Sequence, residues 1–435
     1  MAGEEQTLKT LNNFTFTKIF QTFGMSIHHS NIIIAFLAVV VICLAGWLMD
    51  FSKSVLVIPE TQGKATELQL YITYPDQLPS YLENYKQTGQ RKGVFETLWE
   101  FAAKRFQGAV NSLFALDIPG VAKNIADYFR AMAWALRYHY VYSAIFFIIK
   151  FVVIALAGGA ICRITALQLA HGEKPGLIEP LRFAKKNFFS FLFAPLLPVI
   201  GIILCGLCIA LLGLVGRIPW GIGDVIIAIL MCLTFISGAI IAVLLIGTVA
   251  GFNLMFPAVA YDGSDFFDAM ARAFGYIKRK PWHMLFYTAT AAAYGAICYT
   301  FVRFFFFLLL WSSRWFLRFG LGETEGTGKL AAIWPKPVFT NLAGTADIAT
   351  ASWSETLAHF CVHLLILAVV GLLVAFVISF FFSANTIIYS LMRNKVDNTP
   401  LDDIYTLVDE PQSDLTDTKP EKPVKRKKQK TDSSD

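Results

Sequence analysis

The sequence predicts an all-α integral membrane protein. Six transmembrane helices are expected, arranged as three like-oriented hairpin repeats, with cytoplasmic amphipathic helices and a mostly helical extracytoplasmic cap. Three observations carry this. First, 56% of the 435 residues are hydrophobic and only 16% are charged, against roughly 25% charged in a soluble domain, and mean hydropathy is +0.55. Second, the apolar residues gather into six stretches long enough to cross about 30 Å of hydrocarbon. Third, the basic residues of the short links fall on one side. A soluble enzyme, a disordered chain and a disulfide-stapled secreted module are excluded.

The six stretches are Asn31–Leu48, Tyr142–Ile164, Phe188–Val215, Val225–Met255, Met284–Trp311 and Leu357–Ile388. Orientation follows from the links. Arg163, Lys174, Arg182, Lys185 and Lys186 follow the second stretch. Arg272, Lys278, Arg279 and Lys280 follow the fourth, and Arg393, Lys395 and the run Lys425–Lys430 follow the sixth. The link between stretches three and four offers only Arg217. Both termini are therefore expected in the cytoplasm, with Trp47, Trp134, Tyr138, Tyr140, Trp220, Trp311 and Trp315 as an outer aromatic belt. The chain divides into a cytoplasmic N-terminal amphipathic helix (1–30), a first span (31–51) and an extracytoplasmic, mostly helical segment (52–139). Spans two to five follow (140–311), with cytoplasmic interfacial helices at 175–187 and 265–280. An outer loop (312–356), the sixth span (357–392) and a disordered polybasic tail (393–435) complete it.

The three spans that return to the cytoplasm end alike, at Ile164–Pro175, Leu254–Ser264 and Thr386–Val396: an apolar helix end runs into a polar break. After the first two, an amphipathic helix leads into the next span. In 265–280, Ser264 reads as the N-cap, Asp265 and Asp268 suit the positive helix start, and Lys278, Arg279 and Lys280 suit its negative end. Phe266, Phe267, Met270, Phe274 and Ile277 form an apolar stripe, as do Leu177, Leu181 and Ala184 in 175–187 and Phe16, Ile19, Phe20 and Phe23 before the first span. Like-oriented repeats imply a pseudo-symmetry axis along the membrane normal. Mitochondrial carriers share this plan, but their P-x-[DE]-x-x-[KR] signature is missing. In 52–139 the start reads as extended, followed by helices at Arg91–Leu116 and Val121–Leu136, the second running into span two.

Seven cysteines lie in or at the ends of spans, so no disulfide framework is implied. Cys205 and Cys208 match C-x-x-C but read as small packing residues. Ionisable groups inside spans are functional candidates. Lys150 and Arg303 both fall near the outer boundary, where they snorkel or form a joint anion or lipid-headgroup site. Glu355, His359 and His363 stand at i, i+4 and i+8 at the start of span six, with His139 at the same level on span two. That is ligand-like spacing for a metal, competing with a capping box Ser352-Trp-Ser-Glu355. Lys278, Arg279, Lys280, Lys185 and Lys186 are membrane-surface basic residues. Glu323–Leu330 imitates a phosphate-binding loop without its leading Gly or final Ser/Thr, and no strand precedes it. The Asn13-Phe-Thr15 sequon falls on the cytoplasmic side.

The stretch Ala160–Phe183, with Phe193-Ala-Pro-Leu-Leu-Pro198, resembles a group of uncharacterised bacterial inner-membrane proteins of planctomycete type, over about Val94 to Ile404. More distantly, a span followed by a polar break and an amphipathic helix resembles the membrane domains attached to some glycerophosphodiester phosphodiesterases, whose catalytic domain has no counterpart here. The resemblance implies a bacterial cytoplasmic membrane and no particular activity. The expected role is non-catalytic, scaffolding protein partners through 52–139 or organising membrane lipid, without cofactors and without specific nucleic-acid binding. A transporter or channel for an anionic or lipid-like solute, using Lys150 and Arg303, is the alternative.

Overall fold

The computed structural model describes residues 15–52, 54–60, 63–85, 90–215, 222–322, 329–344 and 353–405. Asn13, Arg217, Trp220, residues 323–328 of the Glu323–Leu330 imitation loop, Ser352 and the polybasic run at 425–430 lie outside them. In chain order, a 3₁₀ turn (Thr15–Gln21) and α1 (Thr22–Ser26) precede α2 (His29–Met49). There follow β1 (Val55–Glu60), β2 (Gly63–Thr66), α3 (Glu67–Thr73), α4 (Leu78–Tyr85), β3 (Gln90–Lys92), α5 (Val94–Phe114) and α6 (Ile118–Tyr138). The remainder is α7 (Tyr140–His171), α8 (Ile178–Lys186), α9 (Phe188–Val215), α10 (Ile222–Asp262), α11 (Phe266–Arg279), α12 (Pro281–Leu321), α13 (Lys329–Ile333) and α14 (Trp353–Asp397).

Six of these, α2, α7, α9, α10 (from Val225), α12 and α14, are long and apolar enough to cross a membrane. Several run well past a 20-residue span: α12 has 41 residues and α14 has 45. Their ends are chemically marked. Gly172, in the left-handed region at φ 70°, closes α7. Pro281 opens α12 at a position where its missing N–H costs nothing. The segment before α2 is a 3₁₀ turn and a short α-helix, not one amphipathic helix, and α6 stops at His139 (φ −128°, ψ 47°) before α7 begins.

Residues 55–138 form a small sheet-and-helix unit. The sheet is antiparallel with order β2-β1-β3, β1 pairing Val57 with Thr66 and Val55 with Lys92. Val55, Leu68, Leu78, Val94, Phe101 and Trp134 make its core. It is tied to α2 by one carboxylate: Asp50 accepts from the Phe95 and Glu96 amides at 3.0 Å each, capping α5, and from the Tyr142 hydroxyl at 2.9 Å. Gly93 makes room for it, since a β-carbon there would stand 2.0 Å from Asp50 Oδ2.

The membrane helices concentrate their burial at the end that carries α8 and α11. There α7, α10 and α14 pack pairwise on one another, and each contributes an unbroken buried run: 157–167, 254–261 and 382–392. Two successive glycines admit the neighbours of α7. A β-carbon on Gly158 would come 2.4 Å from the Phe382 ring of α14, and one on Gly159 would come 2.7 Å from the Phe191 ring of α9. Small residues permit this closeness between membrane helices.

Candidate functional site at the polar end of the bundle

The polar break after α10, the helix α11 that follows it and the end of α14 meet in one network. Asp262, the last residue of α10, is half-buried, with its side chain only 6% exposed. Its carboxylate accepts from Arg393 Nε on α14 at 3.1 Å, from Arg272 Nη1 on α11 at 3.2 Å and from the Tyr389 hydroxyl. Each arginine has a second carboxylate: Arg272 Nε reaches Asp268 at 2.8 Å, and Arg393 Nη2 reaches Asp403 at 2.9 Å. Asp397 accepts from the Tyr276 hydroxyl at 2.7 Å and from Arg279 at 3.2 Å. Burial, then the Asp397 carboxylate, hold the Tyr276 phenol above its ordinary range, so it remains a donor. The Tyr261 hydroxyl donates to the Leu401 carbonyl.

A second layer lies deeper along the helices. Arg163 of α7, 1% exposed, donates from Nη1 to the Ala260 carbonyl at 3.1 Å and lies over the Phe183 ring of α8 at 4.4 Å. The Asn253 amide of α10 donates to Asn385 of α14 at 3.1 Å, and Thr165 and Ser383 share a hydroxyl hydrogen bond of 3.0 Å. The arrangement is a clasp that fixes α14 and residues 397–403 on α10 and α11.

The clasp is masked in the sequence by its position. Asp262 falls at the edge of an apolar run, in Tyr-Asp-Gly-Ser, where it looks like turn chemistry; its arginine partners lie 10 and 131 residues away. The amphipathic helices are also turned differently from the expected stripes. Ala269, Ala273 and Tyr276 are the buried face of α11, while Phe267 is exposed. Its cap is Asp265, accepting from the Asp268 amide at 2.8 Å; the Ser264 hydroxyl donates instead to the Ala258 carbonyl. In α8 the buried residues are Pro180, Phe183 and Ala184, with Leu181 exposed, because Phe183 is the ring beneath Arg163. Lys185, Lys186, Lys278 and Arg279 are exposed and Lys280 is half-buried.

The remaining candidates separate. Lys150 lines an apolar cavity of about 250 Å³ between α5, α6 and the membrane helices, together with Trp99, Tyr128, Phe147 and Val374. Its amine meets the Tyr128 hydroxyl at 3.4 Å, and no carboxylate pairs with it among the described residues. Arg303 is elsewhere: it donates to the Phe339 and Thr340 carbonyls at 2.9 Å each and to the Tyr299 hydroxyl, holding the turn after α13. The two do not form a joint anion site. The metal set is not assembled either. His359 faces the Ile333 carbonyl at 2.9 Å and stacks with His363 at 5.7 Å between centroids. His139 lies instead beside Ser54 (3.4 Å) and Glu67 (3.7 Å). Among the described residues no group of three or more His, Cys, Asp or Glu is placed to hold a metal ion. Glu67 itself is buried, accepting from Trp134 Nε1 at 3.3 Å and the Leu56 amide at 3.4 Å, which ties β1 to α6.

These elements define a mostly helical membrane protein with six helices able to span a bilayer. No protein-family model, curated protein or solved structure matches the chain.

Proposed function

We propose that the protein is a non-catalytic, multi-pass protein of a bacterial cytoplasmic membrane that organises lipid by seating an anionic amphiphile at Lys150. In this reading the six helices are three like-oriented hairpins (α2–α7, α9–α10, α12–α14), both termini are cytoplasmic and the 52–139 segment caps the outer leaflet. The pairwise packing of α7, α10 and α14 supports the hairpin plan. The basic α8/α11 end supports the orientation.

One observation carries the functional reading: a lysine amine without a carboxylate partner in the wall of an apolar cavity beneath amphipathic helices. A cation in such surroundings is costly unless compensated. An acidic headgroup with an apolar tail compensates it and fills the cavity. A transport path is less well supported, because α7, α10 and α14 meet in unbroken buried runs and Arg303 is occupied by backbone carbonyls. Native mass spectrometry of the full-length protein, extracted gently from its own membrane, tests the reading. Wild type is expected to retain an acidic phospholipid or fatty acid, and Lys150→Met to retain about tenfold less, as for loss of a charge-assisted contact. Equal retention by the variant, or no acidic amphiphile on wild type, would refute it.

A further inference from the structure

The three hairpins are not packed equivalently. The first helix of each hairpin, α2, α9 and α12, packs on its own return helix. In addition α2 packs on α14, and α9 packs on α7. The matching contact, α12 on α10, is not made to a comparable extent. A cavity of about 500 Å³ takes its place near the α8/α11 end, with walls from α10 (Val249, Phe252) and α12 (Trp282, Leu285) and with Phe381 of α14 behind. Its walls face outward: Val249, Trp282 and Leu285 are 85%, 78% and 60% exposed. In a bilayer they would meet lipid.

Two features make this more than an apolar gap. Thr288, two turns into α12, has a hydroxyl that is buried and without a partner, whereas Thr290 beside it bonds back to the Phe286 carbonyl at 2.8 Å in the usual helical way. The mouth is also cationic. Lys280 immediately precedes the lining residues Pro281 and Trp282, and Lys395 of α14 and Lys280 both lie within electrostatic reach of His283. Asp397 is engaged by Arg279 and Tyr276, but no carboxylate pairs with Lys280 or Lys395 among the described residues. Trp282, exposed beside them, is the residue type that settles at headgroup level.

We infer that this seam seats one anionic glycerophospholipid: headgroup phosphate on Lys280 and Lys395, an acyl chain between α10 and α12, and an ester carbonyl accepting from the Thr288 hydroxyl once the Thr288 side chain rotates to turn that hydroxyl into the cavity. Thr288 stands eight residues above Lys280, about 12 Å along the helix, a distance the lysine stem and a glycerophosphate bridge together. The chemistry selects a phospholipid over a free phosphate, which would leave the cavity and Thr288 unfilled. It selects a phospholipid over a protein helix because the mouth is charged. The inference rests on the lipid-organising reading but on different residues and the opposite end of the bundle.

The test reconstitutes full-length protein in nanodiscs of zwitterionic phospholipid with a graded fraction of phosphatidylglycerol carrying a photoreactive acyl chain. Crosslinks are mapped by mass spectrometry. Wild type is expected to crosslink on α10 and α12 near Phe252 and Leu285, saturating at one lipid per chain. Lys280→Gln with Lys395→Gln is expected to raise the half-saturating fraction about thirtyfold, near the sum for two basic residues at an anionic surface. Ala250→Leu, which narrows the cavity, is expected to abolish the crosslink at every fraction of phosphatidylglycerol. Lys150→Met is expected to leave it unchanged, so failure of the Lys150 seat and failure of this one are distinguishable. Saturation unaffected by both the lysine and the Ala250 variants would overturn the inference, as would a protein-to-protein crosslink on the α10/α12 seam in place of lipid.

Discussion

Removal of the Asp262 carboxylate tests the clasp directly. The group is buried and receives two guanidinium groups and a phenol. Breaking a buried ion pair from one side costs about 3–5 kcal/mol, because the surviving charge is left uncompensated. Here both arginines keep a second carboxylate, Asp268 for Arg272 and Asp403 for Arg393, so Asp262→Ala belongs at the low end, about 3 kcal/mol. Asp262→Asn keeps an acceptor for Tyr389 and should lose less, about 2 kcal/mol, on the scale of hydrogen bonds to charged groups. Equilibrium unfolding in mixed micelles, by titration with a denaturing detergent, measures both. A double-mutant cycle with Arg393→Met separates the pair from general disruption and should give a coupling of at least about 1 kcal/mol. Coupling below about 0.5 kcal/mol, with Asp262→Ala close to wild type, would refute the view that this pair holds α14 in place.

Three further outcomes are expected. Gly93→Ala pushes its β-carbon into Asp50 and removes the α5 cap, costing about 1–2 kcal/mol; Asp50→Ala should cost the same and the double variant little more, as thermal unfolding in detergent will read. His28, whose ring nitrogens are buried without partners, has its pKa held below the ordinary value by burial, then by His29 and Lys174. A depressed histidine takes its proton more readily in the unfolded chain, so its contribution is whole above about pH 6.5 and falls as the pH drops toward the folded value; His28→Phe should flatten the dependence of the thermal midpoint on pH between about 7.5 and 5. Arg303→Lys cannot fork to two carbonyls and should speed hydrogen exchange at the Val338–Asn341 turn, with no loss of bound acidic lipid; a lipid loss would return Arg303 to the anion site.

Much of the fold is legible in the sequence because hydrocarbon imposes a coarse constraint: a run of about 20 apolar residues suits a membrane span and little else. The Leu254–Asp262 and Thr386–Arg393 endings visibly resemble each other. Their meaning is hidden, because Asp262, Arg393 and Arg272 come together only when α10, α11 and α14 are placed, and a lone carboxylate beside Gly263 reads as a turn. The packing face of α11 is obscured for a related reason. In water its five large apolar residues would be the buried stripe. At a membrane surface Phe267 can face lipid while Ala269 and Ala273 permit close helix packing. Lys150 and Arg303 illustrate the limit of sequence depth. Both stand near one boundary, but a turn of backbone carbonyls 36 residues downstream claims Arg303, and nothing in the spacing announces it. The three-stranded sheet is visible only as an extended start around Val55 and Val57.

The distribution of burial predicts how the molecule should come apart. Among the described residues the buried core around Leu68 and Trp134 in the 55–138 unit is distinct from the one where α7, α10 and α14 converge, and a further one lies around Tyr299, Ile366 and Leu373 of α12 and α14. The first is joined to the membrane helices by the Asp50 cap, by the short connection at His139 and by ring contacts of Phe95 with Phe146 and of Phe106 with Tyr299. The helices α9 and the first part of α10 bury almost none of their most apolar stretch. Opening free energies should therefore differ between the two cores and respond to different residues. Asp262→Ala should raise hydrogen exchange in 382–397 and 255–262 while leaving amides around Trp134 at wild-type rates, and Gly93→Ala should do the reverse. Parallel acceleration at both cores by either variant would mean that they open as one cooperative unit, and that the Asp50 tie is stronger than its three hydrogen bonds suggest.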